Sequence, residues 1–589
     1  MRAFLVFFTL LLSVIAAPLA HGAERARELW LAGGALRLCS ELDQGSCSEP
    51  LPTRSNPRIA ARFAIDARSV ARALDPLLWT RESAPSASGI RLVLQRLGRA
   101  PGENTYTRRE LEDLLDSHCL DVHRMRALPC SDSATDDMKP WRALLDDERA
   151  AVLSALEVPQ LVDGQRRVER AYPQLSLARG GVEVVQGFVD AARERSGDVR
   201  PRIAVVTASA QDPFDAVDFY LDLFEKLGAS AQWWPIDAAM QHAVSTGRCS
   251  ALEALRRQHL QLANRDQVFP DLARQQLNAC RSPQALAAVP DQVHAIFFSG
   301  GDQWRLRQAL VDAQDAPNDW LRAVQRAHAS GALVVGGTSA GAAVQSGAGM
   351  PSNGDTASAL SPGPLAAPPP SPGCERASRC ADGLDEERFT WWPAGGTGLA
   401  VDASVDTHFS ERGRELRLLA LVHAGGARWG FGADETSALQ VLGEDDERTV
   451  TAHGARGGWV FERVQSNRDG MLKARVHYLA PGASLVLRGT EASIEGETSP
   501  VLPGVSAQAP LDDALARGAM RSAATRLARG ESAVRLGAAG GSVELRRSPA
   551  TRVWQRGESV GVSHLDLHYL PDSSAAAMNP DGRQGPTDP

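Results

Sequence analysis

Metal-binding signatures are missing from this sequence. Its eight cysteines never form C-x-x-C, and no H-E-x-x-H occurs. Neither a zinc ribbon nor a zincin helix is expected, and no cofactor is called for. Positive charge is also in short supply. The chain has 63 Lys and Arg against 71 Asp and Glu, a formal charge of −8. That balance leaves no electrostatic footprint for nucleic acid. Long apolar runs are absent after the first residues, so no membrane span is expected in the mature chain. What is present is an ordinary soluble composition, 43% hydrophobic over 589 residues, a length that allows about three or four domains.

The one apolar run is terminal. Arg2 precedes the stretch 3–17, and Ala20-His21-Gly22 places small residues at the −3 and −1 positions before Ala23. This reads as a secretory signal peptide over 1–22, with export to the periplasm or medium. The cysteines agree with an oxidising compartment, being even in number: Cys39, Cys47, Cys119, Cys130, Cys249, Cys280, Cys374 and Cys380. Each lies in or beside a polar insertion. The simplest pairing joins neighbours, 39–47, 119–130, 249–280 and 374–380, so that each bridge restricts a long loop.

Short apolar runs alternate with helical patterns along the chain. Glu28-Leu-Trp-Leu-Ala-Gly-Gly34, the stretches 202–208 and 231–236, and Ala295-Ile-Phe-Phe-Ser299 read as strands, and 216–227 and 318–330 as helices. The strands lack period-two polarity, the mark of a parallel sheet covered on both faces. In such sheets functional groups gather at the carboxyl ends of strands. Insertions are expected near 39–175 and 238–290, both helical, and near 347–390, a loop rich in Pro, Ser and Gly that includes Pro368-Pro-Pro-Ser-Pro372. Beyond Gly443 short alternating segments suggest antiparallel strands. The expected organisation is a leader over 1–22, one α/β domain over 23–505, and a small β-rich C-terminal extension over 506–589 with a disordered tail after Pro571.

The chemistry concentrates at Leu333-Val-Val-Gly-Gly-Thr-Ser339-Ala-Gly-Ala-Ala-Val344. A β-branched run ends in glycines, a serine follows, and small residues open a helix. This is the form of a nucleophile elbow, a strained strand-to-helix turn that exposes a hydroxyl above a sheet edge. The amide of Ala340 would face a developing oxyanion. The alternative is a glycine-rich turn in an ordinary βα unit.

A serine nucleophile needs a base, and the base an acceptor. His408 follows a strand-like stretch, in Val405-Asp406-Thr407-His408-Phe409. Three arginines follow it, Arg412, Arg414 and Arg417, whose guanidinium groups suit carboxylate capture, or else a solvated helix face. The acceptor is Glu435 or its neighbour Asp434, at the end of Gly430-Phe-Gly-Ala. In this chain order the acid follows the histidine, which disfavours an α/β-hydrolase. An esterase of that fold would need a later histidine, His477, His564 or His568.

Four motifs in order carry a family resemblance: Phe298-Ser-Gly-Gly-Asp-Gln303, Gly337-Thr-Ser-Ala-Gly-Ala342, Asp406-x-His-Phe-x-x-Arg-x-Arg-x-x-Arg-Leu418 and Gly432-Ala-Asp-Glu435. Together they resemble cyanophycinases, serine peptidases grouped with aspartyl dipeptidase. The resemblance covers about half of the chain, without the insertions. It implies a flavodoxin-like parallel-sheet sandwich of the class I glutamine amidotransferase type. It also implies cleavage of cyanophycin, multi-L-arginyl-poly-L-aspartate, to β-Asp-Arg dipeptides. Ser339 would be the nucleophile, His408 the base and Glu435 its partner. Gly301 and Ala340 would form the oxyanion hole, and Gln303, Asp406, Thr407, Arg412, Arg414 and Arg417 would line the substrate pocket. Two positions depart from the pattern: Thr407 stands where glutamine is frequent, and Leu416 where a glycine usually precedes the third arginine.

The expectation is therefore an exported serine hydrolase that acts through an acyl-enzyme on a polypeptide or isopeptide, as a monomer or a homodimer. Competing readings are an aspartyl-dipeptidase-like or other peptidase, and a secreted binding protein with an inactive site.

Overall fold

The computed structural model describes residues 25–79, 84–99, 105–121, 126–131, 134–135, 138–312, 314–496, 498–502 and 511–572. The leader expected over 1–22 and the tail beyond Asp572 lie outside these residues.

The apolar runs become the centre of a sheet. β1 (Arg27–Ala32), β2 (Arg202–Val206), β3 (Ser230–Trp233), β4 (Ala295–Phe298) and β5 (Val334–Thr338) lie parallel in the order β3-β2-β4-β5-β1. Both faces are covered. Trp30, Val205, Phe297 and Val334 pack under helices α1 (Arg179–Ser196) and α2 (Val217–Lys226). Leu29, Leu31, Ile296, Phe298 and Val335 point the other way, into a core shared with α3 (Gln303–Leu310) and α4 (Asp319–Ala329). Neighbouring residues of one strand thus both meet apolar surroundings, which is why the runs show no alternation. Asn318 caps α4 by accepting the Leu321 amide at 3.0 Å. The short α5 (Ala340–Ala343) follows β5 directly.

The chain then crosses between two sheets. β6 (Ala403–Thr407) and β7 (Trp429–Ala433) form a parallel pair, joined by α6 (Glu415–Gly425). β8 (Ser437–Gly443) returns antiparallel to β1, and β9 (Glu447–Gly454) pairs with β8. β10 (Gly458–Glu462) and β11 (Leu472–Leu479) extend from β7, while β12 (Ser484–Arg488) and β13 (Glu491–Ile494) finish the first sheet. The first sheet has nine strands in the order β13-β12-β9-β8-β1-β5-β4-β2-β3. Phe431, Val460 and Leu485 share the core of Leu29 and Phe298, so the two sheets face one interior.

The C-terminal segment is built into this second sheet. After α7 (Ala519–Ala528), β14 (Ala533–Ala538), β15 (Gly541–Arg556) and β16 (Ser559–Pro571) complete the order β6-β7-β10-β11-β16-β15-β14. β16 lies antiparallel on β11, Val476 opposite Leu565. Met520 and Leu527 of α7 pack with Phe409, Leu418, Trp459 and Leu565. Alternation along a strand tells which residues face inward, not which edge the strand will seek.

The first insertion has a core of its own, including Phe63, Val70, Ile90, Leu111, Trp141 and Val152. It is mainly helical, with three two-stranded ladders too short to carry a periodic signal. The second is a run of helices from Ala238–Ser245 to Val289–Gln292. The stretch 347–390 corrects the expectation of a plain loop. Met350–Asn353 and Leu365–Ala366 pair with Thr390–Trp392, and a helix spans Thr356–Leu360. Proline and serine hide strands this short. All eight cysteines are bridged to their sequence neighbours, 39–47, 119–130, 249–280 and 374–380. Among the described residues no helix is long and apolar enough to cross a membrane.

Candidate active site

β5 ends at Thr338, and the backbone turns sharply at Ser339, whose φ of 54° and ψ of −119° lie outside the ordinary regions. Non-glycine residues hold such angles only where the surroundings enforce them. Here the Ser339 amide donates to the Ala32 carbonyl at 2.9 Å, and the amides of Ala342 and Ala343 return to the Ser339 carbonyl at 2.9 Å. The turn fits because Gly341 has no side chain. A Cβ there would sit 2.1 Å from the Phe298 carbonyl oxygen.

The hydroxyl meets the expected base. Ser339 Oγ lies 2.8 Å from His408 Nε2, and His408 Nδ1 lies 2.9 Å from Glu435 Oε1. His408 also has a positive φ, 49°, and its amide donates to the Gly33 carbonyl at 2.7 Å. A Cβ on Gly34 would approach the imidazole within 2.5 Å, so glycine is required beside the ring. Of the two acid candidates, Glu435 takes the imidazole. Asp434 turns inward, accepts the Ser410 amide at 2.9 Å and meets Arg521 at 2.6 Å. Burial lowers the His408 imidazole below 6.5 against the opposing pull of its Glu435 bond. A neutral ring between a hydroxyl and a carboxylate can take the hydroxyl proton and hold it. The late histidines stay in the second sheet: His477 meets Glu462 at 3.2 Å, and the His564 amide donates to His477 Nδ1 at 3.2 Å.

Gly300 and Gly301 form the turn after β4 and close one side of the serine. A Cβ on Gly300 would lie 3.4 Å from Ser339 Cβ. Ser209 braces this turn, its Oγ donating to the Gly300 carbonyl at 2.8 Å and its carbonyl accepting the Asp302 amide at 2.9 Å. Nothing in the sequence around Ser209 signalled that role. Of the two residues whose amides are expected at the oxyanion position, Ala340 directly follows Ser339, and Gly301 follows Gly300 in the neighbouring turn.

The remaining predicted residues are distributed unequally. Asp406 is buried and takes a bidentate grip from Arg417, Nε to Oδ2 at 2.8 Å and Nη2 to Oδ1 at 2.6 Å. The third Arg417 bond goes to the Gly354 carbonyl at 2.6 Å. Thr407 is buried, and its carbonyl accepts Arg414 Nη1 at 2.7 Å. Arg414 shares Asp406 only at 3.4 Å, and burial beside Arg417 pushes its guanidinium down to about 9. It is a cation short of countercharge. Gln303 donates to the Pro351 carbonyl at 2.8 Å, and Arg412 is exposed. Asp406 and Arg417 therefore support the wall on which Arg414 stands.

One recess opens at the serine, and a second lies beyond it, from Gly301 onward. The first, about 640 Å³, opens over Ser339 and His408 between Leu36, Leu38, Phe219 and Tyr220, with Glu169 and Asp212 in its wall. Burial raises Glu169 to about 7, and Asp212 is ion-paired with Arg265. The other, about 580 Å³, runs from Gly301 and Gln303 past Asn353 to Arg414. All three insertions wall it, through Asp147 and Glu148, Gln261, and Pro369 to Pro372. The first and third insertions are joined where Arg376 meets Glu148 at 2.8 Å.

No family model matches the chain. Over 254 residues it is 27% identical to a cyanophycinase of Trichormus variabilis, covering 41% of this chain and 70% of that protein. A cyanophycinase of Nostoc sp. is 26% identical over 254 residues, with the same coverage. The relationship to cyanophycinases is a distant one.

Proposed function

We propose that the protein is an exported serine hydrolase of the cyanophycinase kind. It cleaves cyanophycin to β-Asp-Arg dipeptides, on a flavodoxin-like sandwich of the glutamine amidotransferase type. The observation that carries this reading is the hydrogen-bonded line from Ser339 through His408 to Glu435, with its hydroxyl on a strained turn. His408 takes the Ser339 proton as Oγ attacks the scissile carbonyl. Glu435 holds the resulting imidazolium, and the Ala340 and Gly301 amides take the charge on the carbonyl oxygen. Collapse breaks the C–N bond, and His408 returns its proton to the leaving nitrogen. Water, deprotonated by the same ring, then releases the acyl group from Ser339. Arg414, short of countercharge, suits a substrate carboxylate. The four disulfides support export.

The test pairs a fluorophosphonate probe with cyanophycin digestion. The mature protein should be labelled at Ser339 and should release dipeptides identifiable by mass, and Ser339→Ala should lose both, with turnover down at least about 10⁴-fold. An unlabelled wild-type protein would mean a binding protein with a dead site. A second reading, hydrolysis of short aspartyl peptides, is favoured by the walling of one recess by all three insertions. Labelling without release from the polymer, but with cleavage of Asp-X dipeptides, would select it.

A further inference from the structure

The C-terminal segment adds more than strands. The turn before α7 presses on the loop that carries His408. The Gly518 amide donates to the Ser410 carbonyl at 2.7 Å, and a Cβ on Gly413 would lie 2.2 Å from the Leu515 carbonyl oxygen. From the first turn of α7, Arg521 Nη1 reaches Asp434 Oδ2 at 2.6 Å and Glu411 Oε1 at 3.1 Å. Glu411 Oε2 in turn accepts the Glu435 amide at 2.9 Å, while Asp434 Oδ1 accepts the Ser410 amide. One guanidinium therefore joins the loop of the base, through Ser410 and Glu411, to the loop of the acid, through Asp434 and Glu435.

We infer that Arg521 is a positioning residue for the Ser339–His408–Glu435 line, delivered by the C-terminal segment. This inference rests on the hydrolase reading above. Without Arg521 the Asp434 and Glu411 carboxylates keep their amide donors but, among the described residues, Arg456 as their one ion-pair partner, and it meets Glu411 at 2.6 Å. Asp434 is fully buried, and a buried carboxylate without its partner takes up a proton or moves. Either change alters the seat of Glu435. The charged and titratable groups around this cluster are Glu411, Glu415, Arg456, Arg521 and the Tyr478 phenol, which burial keeps neutral, and those facing His408 itself are Glu435, Arg412 and Arg414. Arg517 lies 3.9 Å from the second Glu435 oxygen, so the same turn faces the acid directly.

The experiment follows the rate and pH dependence of fluorophosphonate labelling of the mature protein, together with kcat and KM. Arg521→Met should slow labelling and lower kcat by about 10²-fold with KM little changed, and the acid limb should move to higher pH. Arg521→Lys should recover part of the rate. Asp434→Asn added to Arg521→Met should also recover part, because the surplus charge is gone while Glu411 keeps Arg456. Wild-type rate and pH limb in folded Arg521→Met would overturn the inference. So would a loss that only matches the unfolded fraction in thermal melts. If Arg521→Met does not fold, Arg521→Lys decides by the same two readouts. A wild-type protein that the probe does not label sinks the hydrolase reading and this inference with it, whereas a labelled wild type with an unmoved variant sinks the inference alone.

Discussion

Ser339 and His408 stand on turns of different construction. The serine turn is held by backbone, its own next residues together with the carbonyls of Ala32 and Phe298. Glycines let β5, α5 and the Phe298 carbonyl approach closely, and main-chain hydrogen bonds hold the strained angles. The histidine turn has backbone ties as well, to Gly33 and Ala433, and adds to them side-chain charge collected from afar. Asp406 is clamped by Arg417, Glu411 by Arg456, and both Glu411 and Asp434 by Arg521, which lies 110 residues beyond Glu411. Contacts made by backbone leave little freedom in what residues may stand there. Contacts made by charge depend on partners that any exposed arginine resembles in sequence.

The contrast can be broken or sharpened by three changes. The largest effect should come from Asp406→Asn. It leaves Arg417 buried without its bidentate partner, and removing one member of such a pair costs about 3–5 kcal/mol. Urea unfolding should register that loss, with the serine turn itself unaltered. If stability is unchanged, the histidine side does not depend on charge as described. Next comes Gly34→Ala, which tests the close approach of backbone to the His408 ring. The added methyl meets the imidazole where only 2.5 Å is free, and a displaced base should lower kcat by about 10²-fold, with KM nearly unchanged. Retention of full kcat would show that the ring has room to spare. The smallest effect is a matter of pH. In the proposed mechanism His408 must be neutral to take the proton, and burial lowers it from 6.5. The reactive form is therefore complete at neutral pH and is lost as pH falls through the lowered value. The acid limb of kcat/KM should have its midpoint below 6.5, and a midpoint above it would contradict the burial of the ring.

The same contrast explains what could be read from the chain beforehand. The parallel strands were visible because burial on both faces demands unbroken apolar runs, as in Ala295-Ile-Phe-Phe. The elbow was visible because its glycines and serine are adjacent. The cysteines are paired as the simplest arrangement, neighbour to neighbour, would have them, although spacing alone does not fix the connectivity of eight cysteines. Glu435 and Asp434 were indistinguishable, since neighbours on a turn differ only in which way they point. Ser209 and Arg521 carried no local signal. The strands in 347–390 were hidden by proline and serine.

Sequence alone determined where a strained hydroxyl and a parallel sheet core would form, because each follows from the chemistry of adjacent residues. Only the tertiary structure decided which carboxylate meets His408, that Asp406 and Arg417 spend themselves on one another, and that the C-terminal strands complete the second sheet. Those outcomes depend on distances between residues far apart in the chain, and such distances exist only once packing has excluded the other arrangements.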